Sequence, residues 1–182
     1  MGALGIIAFS GTFPATKLAL TAFDPIAVTA GRVVIAGTLG AAWLMMSRTR
    51  IPAWRDLIVL VITGAGLAIG YPYFVAMGLA TASSVHGAVV AGFAPSATAM
   101  LAVVRHHERP PLIFWIGCIG SLIAVTAYVL ATGAGFTAAD LYFVAAVLST
   151  SIAYAEGSHL SHRLGADKTL AWALLLMVPV VV

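Results

Sequence analysis

The chain has 182 residues, 62% of them hydrophobic and 8% charged, with a mean hydropathy of +1.06. Soluble domains are about 45–50% apolar and about 25% charged, so these charges are too few to coat a water-soluble globule, and the surplus apolar surface faces lipid. The net charge of +3 is spread over several short loops without the clustering that phosphate binding requires, which excludes nucleic acid as a partner.

A helix crosses the bilayer with about 20 apolar residues. Seven apolar runs are predicted: 2–22, 25–47, 57–79, 85–104, 112–132, 140–158 and 170–182. The first follows directly on a start with no basic n-region and no cleavage site, so no signal peptide is expected. It contains Ser10, Gly11, Thr12 and Pro14, with Lys17 about 22 Å deep at 1.5 Å per residue. Span 2 opens at Asp24-Pro25 and places Arg32 about 10 Å from its outer end. Span 3 carries Gly66 and Gly70 at GxxxG spacing, then Tyr71, Pro72 and Tyr73.

Span 4 starts near His86 and contains Pro95, Ser96 and Thr98; His106-His107-Glu108 follow it. Adjacent residues on a helix point in different directions, so that trio reads as a solvated turn and no metal is assigned. No cofactor is expected either. Span 5 holds Cys118, the single cysteine, which reads as packing, and Gly117 and Ser121 at small-xxx-small spacing. Span 6 carries Ser149, Thr150, Ser151 and Glu156. The last run has 13 residues, a rise of about 20 Å against a core of about 30 Å. The chain is therefore read as a carboxy-terminally truncated portion of a longer one.

Loops after spans 1, 3 and 5 contain no Lys or Arg. Those after spans 2, 4 and 6 hold Arg48, Arg50, Arg55, Arg105, Arg109, Arg163 and Lys168, seven of the nine basic residues. The positive-inside rule puts these loops, and the amino terminus, in the cytoplasm. Trp43, Trp54, Trp115 and Trp172 fall near the same ends, where amphipathic rings settle at the interface. The expected protein is a multi-pass component of the cytoplasmic membrane, with the lipid bilayer as its surroundings.

Prolines 14, 72 and 95 each break a span near mid-depth, freeing a backbone carbonyl, and each is accompanied by hydroxyl or ring-bearing neighbours. Broken backbone at membrane depth is tolerated where it packs on protein or lines a wet cavity. The predicted substrate pathway is accordingly Ser10, Thr12, Pro14, Lys17, Tyr71, Tyr73, Pro95, Ser96, Ser149 and Glu156. Intramembrane charges cost a few kcal/mol on insertion scales and usually face a cavity or the bundle interior. Lys17 and Arg32 have snorkelling to the outer interface as their alternative. For Glu156 the alternative is capture by His159 or Arg163 one turn on. Lys17 and Glu156 lie at opposite depths and are not expected to pair. The small-residue faces permit close packing within the chain, or a homodimer.

An offset of 139 residues lays span 1 on span 6, pairing Ser10 with Ser149, Thr12 with Ser151 and Lys17 with Glu156. Five spans separate the copies, so the second runs inverted, an arrangement that recurs around mid-membrane sites in secondary transporters. Several stretches carry a family likeness: Phe9-Ser10-Gly11-Thr12-Phe13-Pro14-Ala15-Thr16-Lys17-Leu18-Ala19-Leu20, Asp24-Pro25, Arg32, Ala94-Pro95, His107-Glu108-Arg109, Gly117 to Gly120 and Asp140-Leu141. On these the chain resembles the EamA-type branch of the drug/metabolite transporter superfamily. It departs in having Phe9 where Trp is common, and in lacking roughly three spans of the second unit, taking about 20 residues per span.

The resemblance implies an all-α polytopic membrane helix bundle. Residues 1–133 would form a first five-helix unit and 134–182 the start of an inverted second one, around a cavity lined by spans 1, 3, 4, 6 and later ones. The expected function is alternating-access transport, in the export direction, of a small metabolite such as an amino acid or related polar compound, with Glu156 as a carboxylate able to take up a proton. Two rivals stand beside it. One is a non-transporting assembly subunit, which would pack solidly through the centre. The other is an intramembrane enzyme, disfavoured because His86 is far from the mid-depth serines.

Overall fold

The computed structural model describes residues 10–49, 51–106, 110–132 and 137–182. Phe9, Arg50, His107-Glu108-Arg109 and the start of the loop after span 5 lie outside them. The described residues form helices and no strands: α1 (Thr12–Ala19), α2 (Pro25–Met46), α3 (Trp54–Thr81), α4 (Ser84–Ala91), α5 (Ala94–His106), α6 (Leu112–Thr132), α7 (Ala138–Leu164) and α8 (Ala166–Val181). Among them the stretches Pro25–Met46, Trp54–Thr81, Ser84–Arg105 and Ala138–Leu164 are long and apolar enough to cross a membrane. The protein is a multi-pass helical membrane protein.

Local chemistry explains the helix starts. Asp24 accepts the Ala27 amide at 2.7 Å, and Pro25, with no N–H to leave unpaired, opens α2. Ser83 caps α4 through the His86 amide. A reciprocal capping box of Thr137 and Asp140 starts α7. Gly165, at φ +93°, makes the sharp turn from α7 into α8, a conformation that side-chain-bearing residues rarely adopt.

All three predicted proline breaks coincide with a change of helix register. Pro14 lies in the first turn of α1, after the turn at Gly11. Pro72 follows a π-helical turn, Ala65–Gly70, inside α3. The wider turn accommodates a ring that would otherwise crowd the preceding carbonyls. Span 4 is two helices, broken at Gly92-Phe93, with Pro95 in the first turn of the second. Span 6 is longer than predicted, because its helix continues to Leu164 through the polar stretch after residue 158.

Helix α7 sits at the centre, against α3, α4, α5 and α8; α8 also runs along α2, α1 rests on the end of α3 and on α4, and α6 is peripheral. Phe143 of α7 is 1% exposed and packs with Phe13, Val75 and Leu79. Further clusters join Val33, Ala68 and Met177, and Leu60, Leu160 and Ala173. Lipid is as apolar as these side chains, so the seams depend on close packing and interhelical hydrogen bonds more than on water exclusion. Glycine makes that packing possible: a Cβ on Gly66 would stand 2.6 Å from the Ser149 carbonyl oxygen, and one on Gly78 would stand 2.6 Å from the Phe143 ring. The Gly66 and Gly70 face is thus covered by α7 within the chain and is not open to a second copy.

Candidate functional site

Polar contacts collect at two ends of the bundle. At the end carrying the basic loops, Arg105 of α5 pairs with Glu156 of α7. Beside them Arg163 Nη1 meets Asp56 Oδ1 at 3.1 Å, and the Trp43 indole donates to Asp167 at 3.0 Å. At the other end Lys17 Nζ donates to the carbonyls of Leu79 and, at 2.9 Å, Ala82, the unpaired oxygens at the C-terminus of α3. There also His86 Nε2 meets Asp140 Oδ1 at 2.5 Å, while the other Asp140 oxygen accepts from the Thr137 amide and hydroxyl at 2.7 and 2.8 Å. Each partner lies at the end that alternating spans require of it.

Two expectations about charges change. Glu156 is paired with Arg105, 51 positions earlier, and Arg163, one of the two expected partners on its own helix, is turned to Asp56 instead. The rotation of α7 against α5 decides this. Glu156 is thereby a joint between α7 and α5. Lys17 and Glu156 stand at opposite ends, as expected, and Lys17 acts as a cap on α3.

The predicted pathway residues do not converge on one point. Ser149 Oγ donates to the Gly66 carbonyl at 3.1 Å, across the α7–α3 seam at the π turn. Ser151 accepts from Thr98 Oγ1 at 3.2 Å and donates to the Ala94 carbonyl at 3.4 Å, across the α7–α5 seam. Ser96 is buried near this seam, Tyr73 is half-buried against Phe74, and Ser10, Pro14 and Pro95 are exposed.

Thr12 alone of the predicted set lines a cavity of about 700 Å³ between α1 and α2, together with Gly11, Thr16, Ala27, Gly31 and Arg32. Helices α1 and α2 are bridged there by a bond from Arg32 Nη1 to Thr16 Oγ1 at 3.2 Å. Tyr71 of α3 lies within electrostatic reach of the same guanidinium.

Among the described residues two cations within spans lack a carboxylate, Lys17, which is bound to carbonyls, and Arg32, which faces this cavity. Among the described residues every carboxylate is engaged elsewhere: Asp24 caps α2, Asp56 holds Arg163, Asp140 holds His86, Glu156 holds Arg105 and Asp167 holds Trp43. Arg32, half-buried at membrane depth, has no carboxylate partner among the described residues. A guanidinium offers five N–H donors. The sequence reading gave Arg32 interfacial snorkelling as its alternative and did not single out Thr16. The available signal was Gly31 beside Arg32, a small residue that leaves room next to a cation.

The fold and these intramembrane charges define a polytopic helical membrane protein, and its family is shown by comparison. The chain belongs to the EamA-like transporter family, which matches residues 1–130. It is similar to a protein of Bacillus subtilis (strain 168) named uncharacterized transporter YdeK, with 40% identity over 179 residues, 98% of this chain. The chain spans 62% of that relative's length. No solved structure matches it.

Proposed function

We propose that the protein moves a small metabolite, such as an amino acid or related polar compound, out of the cell by alternating access. In this reading it sits in the cytoplasmic membrane with its amino terminus inside. Residues 1–133 form one helical unit and 134–182 open an inverted second one. The single observation that carries the reading is the cavity between α1 and α2, which sets hydroxyls and a cation without a carboxylate partner at membrane depth in a member of a transporter family. Intramembrane ionisable groups that face a cavity mark solute paths. The wall residues Thr12, Thr16 and Arg32 supply the contacts that would replace a solute's water. Lys17 and Glu156 hold helix ends on either side of the path.

The assembly-subunit reading draws on one observation, the tight α3–α7 seam at Gly66 and Ser149. It gives no account of the cavity. Vesicles bearing the protein decide between the two: efflux or exchange of radiolabelled amino acids and related metabolites above empty vesicles is expected. Blockage of that flux by a charged thiol reagent is also expected in a Cys118→Ala, Thr12→Cys background. Vesicles that move none of the solutes would remove the transport reading.

A further inference from the structure

We infer that the Arg32 cavity is a binding site for small monocarboxylates with an apolar body, a substrate class that narrows the transport reading and rests on it. The cavity holds a single formal charge. Its lining includes Ala15, Ala19, Val28 and Ile35, together with Arg32, and contains no acidic residue. One planar guanidinium in an apolar wall matches one planar carboxylate, which it can grip through two parallel N–H···O bonds. A doubly charged phosphate ester would bring one charge more than Arg32 neutralises, at a depth where uncompensated charge is costly.

The carboxylate of an amino acid would fit the same grip, with its ammonium group left toward the mouth of the cavity because the wall has no carboxylate to receive it. Compounds whose one charge is a carboxylate therefore fit best. Thr12 supplies a further hydroxyl on the same wall, and Thr16 already orients Nη1 at 3.2 Å. The volume, about 700 Å³, falls in the range of small-molecule sites. Gly31 keeps the space next to Arg32 open, since a Cβ built there meets nothing within 4 Å.

The same guanidinium chemistry also suits an anionic lipid headgroup reaching in from the bilayer, so the test separates the two sources. The protein is placed in phosphatidylcholine nanodiscs and titrated with benzoate, and separately with benzamide and benzylamine, which share its ring but lack the negative charge. Binding is read by saturation-transfer NMR. Benzoate is expected to bind and the other two are not. Arg32→Gln is expected to weaken benzoate by about tenfold or more, the scale of a lost charge-assisted hydrogen bond. Arg32→Lys should weaken it less, and Gly31→Leu, which sets a branched side chain on the wall next to the guanidinium, should weaken it as well.

Equal binding of benzoate and benzamide to the unmodified protein would overturn the inference without recourse to any variant. Benzoate binding of unchanged strength in folded Arg32→Gln protein would also overturn it. Loss of benzoate binding when phosphatidylglycerol replaces part of the phosphatidylcholine would assign Arg32 to lipid. Benzoate that binds in vesicles that move no solute would leave the binding site standing and remove the transport reading, and with it the assignment of the site as a substrate site. Vesicles that move uncharged solutes but show no benzoate binding would do the reverse.

Discussion

The seam between α7 and its neighbours and the crevice between α1 and α2 lie in one bundle and are built on opposite terms. Along the seam, Gly66 brings α3 against Ser149 of α7, and hydroxyls close onto carbonyls at mid-depth. His86 with Asp140, and Arg105 with Glu156, tie the ends. At the crevice a single Arg32–Thr16 hydrogen bond bridges a space of about 700 Å³, and the cation there has no carboxylate partner among the described residues. Polar groups in lipid are stable where they are matched. The seam matches the hydroxyls of Ser149 and Ser151, although Thr63 Oγ1, packed against Gly157, is left without a hydrogen bond among the described residues, whereas the crevice leaves a cation to be matched by something outside the described chain.

The sharpest way to break that comparison is to place the same side chain in both regions. Gly66→Leu should cost about 3 kcal/mol through overpacking, because the Ser149 backbone cannot yield without parting α3 from α7. Gly31→Leu should leave the thermal midpoint of monodisperse protein, followed by size exclusion, within a degree or so, about what a surface change does. Equal losses at the two glycines would show that the crevice is packed after all.

Next in size is the pair that joins α4 to the start of α7. A double-mutant cycle of His86→Ala and Asp140→Ala should return a coupling of about 1–2 kcal/mol, toward the upper end for interhelical bonds in membranes. Additive single effects would mean that the contact holds nothing. The Arg105–Glu156 pair should be worth less, about 0.5 kcal/mol, because the Arg105 side chain is 62% exposed and water screens it. Unfolding of Glu156→Gln and Arg105→Gln, singly and together, reads that term.

The smallest effect is pH-dependent. Hydrogen bonding from the Trp43 indole holds the exposed Asp167 carboxyl below its ordinary value of 3.8. The carboxylate is therefore favoured in the folded state. Its small stabilisation is present above the ordinary value and fades as the pH falls through the lowered folded-state value. Trp43→Phe should flatten this part of the acid-stability profile and leave the neutral midpoint unchanged; an unaltered acid profile would remove the bond from the account.

Much of the fold is legible in the residues. Runs of apolar side chains mark the helices, the one-sided placement of Arg and Lys orders their ends, and Pro72 and Pro95 mark where helical register changes. The candidate site is less legible. Thr12 is visible as a hydroxyl beside a broken helix, and it does line the cavity. Ser149 carries the same local signal and turns to the Gly66 carbonyl. Both are hydroxyls next to loosened backbone, and only the position of the neighbouring helix separates a wall residue from a joint.

Hydropathy and charge act on each segment alone, since transfer of a helix into lipid depends on its own side chains, so the order of the spans and the alternation of their ends were settled before any helix met another, though not the full length of span 6. The partner of Glu156, the capping duty of Lys17 and the isolation of Arg32 depend on how each helix is rotated about its axis. Contacts between segments as far apart as 124 positions, such as Trp43 with Asp167, set those rotations. Such contacts exist only after packing, and for that reason the tertiary structure alone decided that Glu156 and Asp56 would each be paired with an arginine and that Arg32 would face a cavity.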